Sequence, residues 1–320
     1  MRLITFEDSV KRPRIGALAP DGRIGDLKIV DLNSACALYL RDVEDEGGFN
    51  RLADALVPPN MRELFSGGDT SLEAARKALD YALGSDNLSG PNGEPVFYSA
   101  DEVTLKAPIS PGKFFHAAGF QNVDAIIGHE EPVIYPEHLT QELDCEIALA
   151  LVLKKSGKHF APEEASDYIG GYLIFNDITA GDIQRLEMKS GVSGLGKGID
   201  TFCPLGPWIV TADEIPNSQN LAMELRVNGE PWQNSSSRLV NIPEILSRYS
   251  AMGYSAGDIV STGTASGVGT SIDTKARHLK VGDVMECEIE GIGILRNRVI
   301  SWEEAYGHKH AALAVQERTP

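Results

Sequence analysis

Features that identify whole classes of protein are scarce in this sequence. Its 320 residues include only 4 cysteines, which are far apart and never form a CxxC pair, so neither a disulfide framework nor a cysteine zinc site is expected. The seven histidines show no HExxH or paired zinc spacing. No apolar run reaches the roughly 18 residues of a membrane span, and the opening MRLITFEDSVKRPR lacks the apolar core of a signal peptide. These absences predict a cytoplasmic protein with reduced cysteines.

Basic residues are also few relative to acidic ones. The chain has 29 Lys and Arg against 46 Asp and Glu, a formal net charge of -17, and a pI near 4.8. A surface with this charge repels the phosphate backbone of nucleic acids and the anionic surface of a membrane. We therefore expect neither nucleic acid nor a membrane among the partners.

The length allows one large or two ordinary domains. We predict a small N-terminal domain and linker over residues 1–100, a catalytic domain over 101–300 and a C-terminal tail over 301–320, the tail being a peripheral helix with a frayed end. Within the first part, apolar residues at helical spacing predict an amphipathic helix over 71–83. The stretch 84–93, rich in Gly, Ser, Asn and Pro, is typical of a linker.

The second part is rich in strand signals. Asn228-Gly229 between two apolar runs predicts a type I′ hairpin, and the stretches 284–290 and 292–300 predict a final hairpin. Between them, the glycine-rich stretch 262–269 has two interpretations. Its backbone amides can approach an anion closely, or it is simply a connection between strands.

The best candidates for chemistry are three carboxylates. In the stretch LDCEIALALVL, apolar residues alternate along a predicted strand from Leu143, which places Asp144 and Glu146 on one side of it. Asp177 follows a second predicted strand, on a turn that leads into a helix. Gathered carboxylates repel one another, and a hard divalent cation such as Mg²⁺ or Mn²⁺ is the usual reason to collect them. The alternative is that they are solvated or paired with basic side chains.

Six motifs in order resemble the fumarylacetoacetate hydrolase superfamily, over about residues 103–300. They are LDCEIALALVL, GGYLIFNDITAGDIQ, LGKGIDTFCPLGPW, VNGEPWQ, GDIVSTGTASGVG and GDVMECEIEGIGILRN. The MRLITFED opening is similar to the small leading domain of many members. The resemblance implies an α+β fold, mostly β with short helices, in which a mixed β-roll catalytic domain follows a small N-terminal domain. It also implies a homodimer, bound Mg²⁺ or Mn²⁺, and a small anionic 1,3-dicarbonyl or 2-keto acid substrate.

Site residues follow from the resemblance position by position. It implies metal binding by Glu146 and Asp177, and an active-site role for Lys197. It implies substrate binding by Gln184, Thr264 and the adjacent Gly263.

Three positions depart from the family pattern. Ala148 stands where a second metal-binding glutamate is expected, Gly181 where an arginine usually follows the turn, and Ala125 where the catalytic histidine of the lid would fall. These departures bear on activity rather than on the fold.

The sequence offers substitutes for two of these positions. Asp144, two residues before Glu146, is a candidate third metal ligand. His129, followed by Glu130, is a candidate general base with an acidic partner. The alternative for His129 is a surface histidine in an exposed acidic loop.

These residues predict a metal-dependent enzyme that acts through a stabilised enolate, with Lys197 stabilising the developing charge. Carbon–carbon bond hydrolysis of the fumarylacetoacetate or acylpyruvate type is the first expectation. The alternatives are a decarboxylase, isomerase or hydratase of the same superfamily, or a binding protein without turnover. Loss of the lid histidine favours decarboxylation and isomerisation, which need no positioned water.

Overall fold

The computed structural model describes residues 1–19, 28–85, 88–116, 119–191, 194–263 and 277–308. The strands are β1 (Arg2–Glu7), β2 (Pro13–Leu18), β3 (Lys28–Asp31), β4 (Phe97–Ser99), β5 (Thr104–Lys106), β6 (Phe114–His116), β7 (Gly119–Phe120), β8 (Ile126–Ile127), β9 (Val133–Tyr135), β10 (Leu143–Asp144), β11 (Ile147–Leu153), β12 (Ile169–Asn176), β13 (Thr179–Ala180), β14 (Cys203–Thr211), β15 (Ala222–Val227), β16 (Glu230–Ser236), β17 (Ile259–Ser261), β18 (Val284–Ile289) and β19 (Gly293–Ser301). The helices are α1 (Leu32–Asp42), α2 (Phe49–Leu56), α3 (Met61–Ser66), α4 (Gly68–Leu83), α5 (Gly181–Ser190), α6 (Leu195–Gly198), α7 (Ile242–Tyr249) and α8 (Trp302–Tyr306).

The largest sheet joins the first hundred residues to the rest of the chain. Its strand order is β4-β3-β2-β1-β14-β12-β11-β17-β6-β7, with β5 paired to β1 and β8 paired to β14. The joint is the antiparallel pair of β1 and β14, in which Arg2 lies opposite Val210. The predicted domain boundary near residue 100 stays a prediction, and this sheet runs continuously across it.

Strand β11 lies at the centre of the sheet and is buried on both faces. Ile147, Leu149 and Leu151 belong to one core cluster, whereas Ala148 and Ala150 belong to another, which also contains residues of α1, α3 and α4. Small alanine side chains on that second face leave room for the helix layer to approach the sheet. The face of β11 that carries Ala148 and Ala150, which the sequence predicts to be the less apolar one, is therefore buried beneath the N-terminal helices.

A second sheet has the order β16-β15-β18-β19-β9. The predicted hairpin at Asn228-Gly229 is confirmed, since β15 and β16 flank the two residues and both have positive φ, 53° and 78°. The predicted final hairpin is confirmed as β18 and β19. Trp208 of β14 donates its indole N–H to the carbonyl of Ile292 at 2.6 Å, which ties the two sheets together.

The helix predicted over 71–83 is confirmed as α4, which begins three residues earlier. The predicted mixture of β-sheets and short helices is likewise confirmed. Across the described ranges, none of the helices has the length and apolar character needed to cross a membrane.

Candidate active site

The pairing of β11 with β12 brings Glu146 and Asp177 together. Ile147 lies opposite Asn176 in this antiparallel pair, so the residue before β11 meets the residue after β12. The backbone N–H of Asp177 donates to the carbonyl of Glu146 at 2.8 Å. The expected proximity of these two acids is confirmed, while their role as metal ligands stays a prediction.

The strand predicted to run unbroken from Leu143 is interrupted before Glu146. β10 ends at Asp144 and pairs with β13, whereas β11 begins at Ile147 and pairs with β12. The Asp144 carboxylate accepts the N–H of Cys145 at 2.8 Å, a local side-chain-to-backbone bond. The chain therefore changes strand partner between the two acidic side chains.

Lys197 joins the two acids. Its ammonium group donates to the Asp177 carboxylate, to Thr179 Oγ1 at 2.9 Å and to Glu146 Oε2 at 3.5 Å. The Asp177 side chain is 1% exposed and that of Lys197 is 20% exposed. One half-buried ammonium group thus bridges two carboxylates that the sheet has placed side by side.

The backbone around Lys197 is held from two directions. Gln121 donates its side-chain amide to the carbonyl of Lys197 at 2.7 Å, and Asn122 donates to the carbonyl of Gly198 at 2.9 Å. The Glu187 carboxylate, on α5, accepts the N–H groups of Leu195 and Gly196 at 2.6 and 3.1 Å. These bonds fix the short helix α6 and so aim the lysine at Asp177.

The electrostatics of the cluster keep both groups charged. Burial by itself would lower the pKa of Lys197, but the charges of Asp177 and Glu146 and their hydrogen bonds outweigh it and hold that pKa above its ordinary value. Burial would raise the pKa of Asp177, but His116 and Lys197 outweigh it and hold that pKa below its ordinary value. Lys197 therefore stays protonated and acts as a charged hydrogen-bond donor rather than as a base.

His116 is a member of the cluster that sequence reasoning missed. It ends β6, is 7% exposed, and places Nε2 at 2.9 Å from Asp177 Oδ2. Its ring packs edge-to-face on Phe175, with 5.4 Å between centroids. The signal in the sequence is a lone polar residue at the end of the apolar strand Phe114-Phe115, but nothing there says which strand lies opposite it.

The position of the missing glutamate is enclosed by aromatic side chains. Ala148 is 0% exposed and lies opposite Phe175 in the β11–β12 pair. Phe114 packs on Phe175 with 4.9 Å between ring centroids and belongs to the same core cluster as Ala148. The face from which a second glutamate would reach the site is thus occupied by core side chains and by His116.

Asp144 lies at the margin of the cluster. It is half-buried at the end of β10. Burial, with the nearby charge of Glu146, raises the pKa of Asp144 to about 6, although the bond from Cys145, His278 and Lys197 act in the opposite direction. Its predicted role as a third metal ligand stays a prediction.

His129 and Glu130 lie beside β19. The Nδ1 atom of His129 accepts the backbone N–H of Arg296 at 3.1 Å, and Glu130 pairs with the guanidinium of Arg296 at 2.7 Å. Burial lowers the pKa of His129, and Arg296 adds to this while Glu130 opposes it. No hydrogen bond or ion pair of the described residues joins His129 to Lys197 or Asp177. The predicted catalytic role of this pair gains no support from these contacts.

The predicted substrate-binding residues lie on two elements. Gln184 is on α5, where its backbone lies against Gly196 of the lysine-bearing helix. Gly263 follows β17, which pairs with both β11 and β6, and has a φ of 75°. Thr264 lies outside the described residues. The roles of these three residues stay predictions.

The site offers a divalent cation two carboxylates, one of which has an oxygen unpartnered in the described ranges. Asp177 Oδ1 is buried without a hydrogen-bond partner among the described residues, although a carboxylate oxygen in such a place normally has one. Within the described part of the chain, no group of three or more His, Cys, Asp or Glu side chains is placed to hold a metal ion. The Lys197 ammonium instead touches both carboxylates, so a cation would share them with the lysine.

Comparison with known proteins identifies the family. The family model described as "Fumarylacetoacetate (FAA) hydrolase C-terminal" matches residues 98–300. The chain is 32% identical to a mitochondrial oxaloacetate tautomerase, fahd2, of Xenopus laevis, over 94% of this chain and 90% of that protein. It is 34% identical to the oxaloacetate tautomerase YisK of Bacillus subtilis, over 76% of this chain and 87% of that protein.

A solved structure agrees with this result. The fumarylacetoacetate hydrolase from psychrophilic Exiguobacterium antarcticum is 27% identical and superposes with a TM-score of 0.68, covering 94% of this chain and 99% of that one. The chain belongs to the fumarylacetoacetate hydrolase family. The predicted family and fold are therefore confirmed, and the two relatives above are both named as oxaloacetate tautomerases.

Proposed function

We propose that this protein is a metal-dependent enzyme that interconverts the enol and keto forms of a small 2-keto dicarboxylate, with oxaloacetate as the first substrate to test. The observation that supports this most is the buried ammonium of Lys197, held between Asp177 and Glu146. The two relatives above, both named as oxaloacetate tautomerases, support the choice of substrate.

A divalent cation would be held by Glu146 and Asp177, whose carboxylates are the hard oxygen donors that Mg²⁺ and Mn²⁺ take. When bound, it would polarise the 2-keto group of the substrate. Lys197 then donates a hydrogen bond to the oxygen on which negative charge develops, from a position that the Gln121 and Glu187 contacts have already set. Because its pKa is raised, the lysine holds its proton at neutral pH.

Tautomerisation suits the groups that the structure places nearby. Moving a proton between carbon 3 and the 2-oxygen consumes no water, so no base is needed to hold and activate a water molecule. The family position for the lid histidine is the buried Ala125, and His129 is bonded to Arg296 instead. These features favour tautomerisation over carbon–carbon bond hydrolysis.

The test is a direct assay of enol-to-keto conversion of oxaloacetate, followed by the ultraviolet absorbance of the enol with and without Mg²⁺ or Mn²⁺. We expect metal-dependent acceleration that Lys197→Met abolishes. The matched control is Lys189→Met, because Lys189 is exposed at the end of α5, and it should retain the full rate. Either no acceleration by the wild type or full activity of a folded Lys197→Met protein would refute the proposal.

Hydrolysis of an acylpyruvate is the second candidate. It is favoured by one observation, the imidazole of His116 at 2.9 Å from Asp177, since a histidine paired with a carboxylate can activate water. A relative from Sphingomonas, 35% identical over 65% of this chain and 73% of its own length, is named as 2,4-didehydro-3-deoxy-L-rhamnonate hydrolase. Release of pyruvate from acylpyruvates at a rate that exceeds oxaloacetate tautomerisation would decide for this alternative.

A further inference from the structure

The turn that follows the lysine-bearing helix α6 contains a strained residue. The N–H of Phe202 donates to the carbonyl of Ile199 at 3.1 Å and closes this four-residue turn. Thr201, the third residue of the turn, has a φ of 65°, where glycine is preferred because a side chain crowds the backbone. Among the described residues, Thr201 is the only β-branched residue with a positive φ. The chain therefore carries a strain here that glycine would avoid.

The hydroxyl group of Thr201 joins this turn to the second sheet. Its Oγ1 atom accepts the backbone N–H of Ile134 at 2.9 Å and donates to the carbonyl of Asp200 at 2.6 Å. Ile134 lies on β9, the last strand of the second sheet, which pairs with β19. Thr201 is 7% exposed, so both hydrogen bonds are sheltered from water. They offset the strain and hold the turn against the edge of the sheet.

We propose that Thr201 is a positioning residue for Lys197, because its strained turn and its bond to Ile134 fix the point at which the chain leaves α6. This role rests on the proposed function, in which the Lys197 ammonium group lies ready at the substrate oxygen. The hydrogen bonds of Thr201 go to backbone atoms, so it acts on the lysine through the main chain.

The anchors of α6 explain why this turn matters. A helix of four residues has little rigidity of its own, so its direction depends on what holds its ends. Glu187 holds the start of α6, and Gln121 holds the carbonyl of Lys197. Three residues separate Lys197 from Thr201, which ties the exit of the helix to the second sheet. The backbone is thus fixed both before and after the lysine.

The strain makes the position of Lys197 sensitive to the Thr201 hydroxyl. Without the bond to Ile134, a β-branched residue would relax towards the negative φ that it prefers. That change redirects the chain just after α6 and moves the ammonium group with it. Valine at 201 would lose the bond and relax, whereas glycine would lose the bond but keep the turn.

The first experiment measures kcat and KM for oxaloacetate tautomerisation in the presence of Mn²⁺. We expect kcat of Thr201→Val to fall at least about tenfold with KM within about twofold of the wild type, because a displaced lysine weakens a contact made in the transition state. Thr201→Ser keeps the hydroxyl and should stay close to the wild type. Thr201→Gly should fall between them. A merely structural role would lower stability and leave kcat of the folded proteins unchanged.

The matched control is Thr5→Val. The hydroxyl of Thr5 donates to the carbonyl of Pro108 at 2.6 Å, so this variant also loses a side-chain hydrogen bond to the backbone. It should keep the wild-type kcat.

The second measurement reports on Lys197 without any reaction at the site. Reductive methylation of the metal-free protein, followed by peptide mass spectrometry, gives the labelling rate of each lysine amine. Lys197 is 20% exposed and paired with Asp177, so it should react slowly in the wild type compared with the exposed Lys189. In Thr201→Val, the rate at Lys197 relative to Lys189 should rise at least about threefold. In Thr201→Ser it should match the wild type.

The two measurements separate the positioning role from the proposed function. Wild-type kcat in folded Thr201→Val, or an unchanged labelling rate of Lys197 in it, would overturn the positioning role and leave the proposed function standing. A wild-type protein without tautomerase activity would refute the proposed function, and faster labelling in Thr201→Val would still support the positioning role. If Thr201→Val does not fold, equal values of kcat and of Lys197 labelling in Thr201→Ser and Thr201→Gly would overturn the role, because these two differ in the hydroxyl.

Discussion

Lys197 contributes to stability as well as to the proposed chemistry. Its ammonium group compensates the Asp177 carboxylate, which is 1% exposed, and removing one partner of a buried pair leaves the other charge uncompensated. We predict that Lys197→Ala lowers the free energy of unfolding by about 3 kcal/mol. Urea denaturation at neutral pH, with a chelator present, measures this change.

The control is the double variant Lys197→Ala/Asp177→Asn, which removes the stranded charge as well. Most of the lost stability should return in it. A Lys197→Ala protein as stable as the wild type would show that the ammonium contributes little to folding, and that Asp177 is compensated by His116 alone.

Asp144 makes the stability of the folded protein depend on pH with the opposite sign to that of most carboxylates. Its pKa is raised from 3.8 to about 6 in the folded protein, so the folded state holds the proton more tightly than the unfolded state. Proton binding by Asp144 therefore stabilises the folded protein fully below pH 4, and this contribution is lost as pH rises through 6. Asp144→Asn should therefore be more stable than the wild type by up to about 3 kcal/mol above pH 7.

The measurement is thermal unfolding of both proteins from pH 5.5 to 8.5 in the presence of a chelator. The difference between them should widen as pH rises. A constant difference over this range would mean that Asp144 is ionised in the folded protein throughout, and that its burial costs less than we infer.

At the scale of an element, helix α1 depends on one buried carboxylate. Asp31 is fully buried, accepts the N–H of Ser34 at 2.9 Å as the N-cap, and pairs with Arg14 of the neighbouring strand. Replacing it removes the cap and strands the guanidinium at the same time. We predict that Asp31→Ala lowers the free energy of unfolding by about 3 to 5 kcal/mol.

Two variants refine this prediction, and calorimetric unfolding compares them. Asp31→Asn keeps a capping oxygen but loses the charge, so its stability should fall between those of the wild type and Asp31→Ala. Asp80→Ala, at an exposed position of α4, should change stability by less than about 0.5 kcal/mol. Equal losses in the Asp31→Ala and Asp80→Ala proteins would rule out a special role for the cap.

At the scale of the whole molecule, the continuous sheet predicts cooperative unfolding. β1 pairs with both β2 and β14, and one core cluster contains Leu38 and Phe65 of the helix layer together with Ala150 of β11. Separating the first hundred residues would expose this shared face. We therefore predict one unfolding transition for residues 1–100 and 101–300.

Two probes test this. The three tryptophans, Trp208, Trp232 and Trp302, all report on the second part of the chain, and hydrogen exchange of α1 and α4 amides reports on the first. The urea midpoints of the two signals should coincide. Two separated midpoints would show that the predicted N-terminal domain folds on its own.

Local structure was largely determined by the sequence itself. The Asn228-Gly229 hairpin, helix α4 and the closing pair of β18 and β19 each follow from turn chemistry or periodicity within a short stretch. The ordered motifs also identified the family and led to Glu146, Asp177 and Lys197, because each motif keeps its chemistry and its position in the chain.

Contacts between distant stretches were decided only by the tertiary structure. His116 reaches Asp177 because β17 lies beside β11 and β6 lies beside β17 in the sheet order, and Ala148 is enclosed because Phe175 lies opposite it. Periodicity describes which face of an element is apolar, but it does not say which other element covers that face. His129, attractive for its acidic neighbours in sequence, pairs with Arg296 for the same reason, since strand order rather than chain order determines which side chains meet.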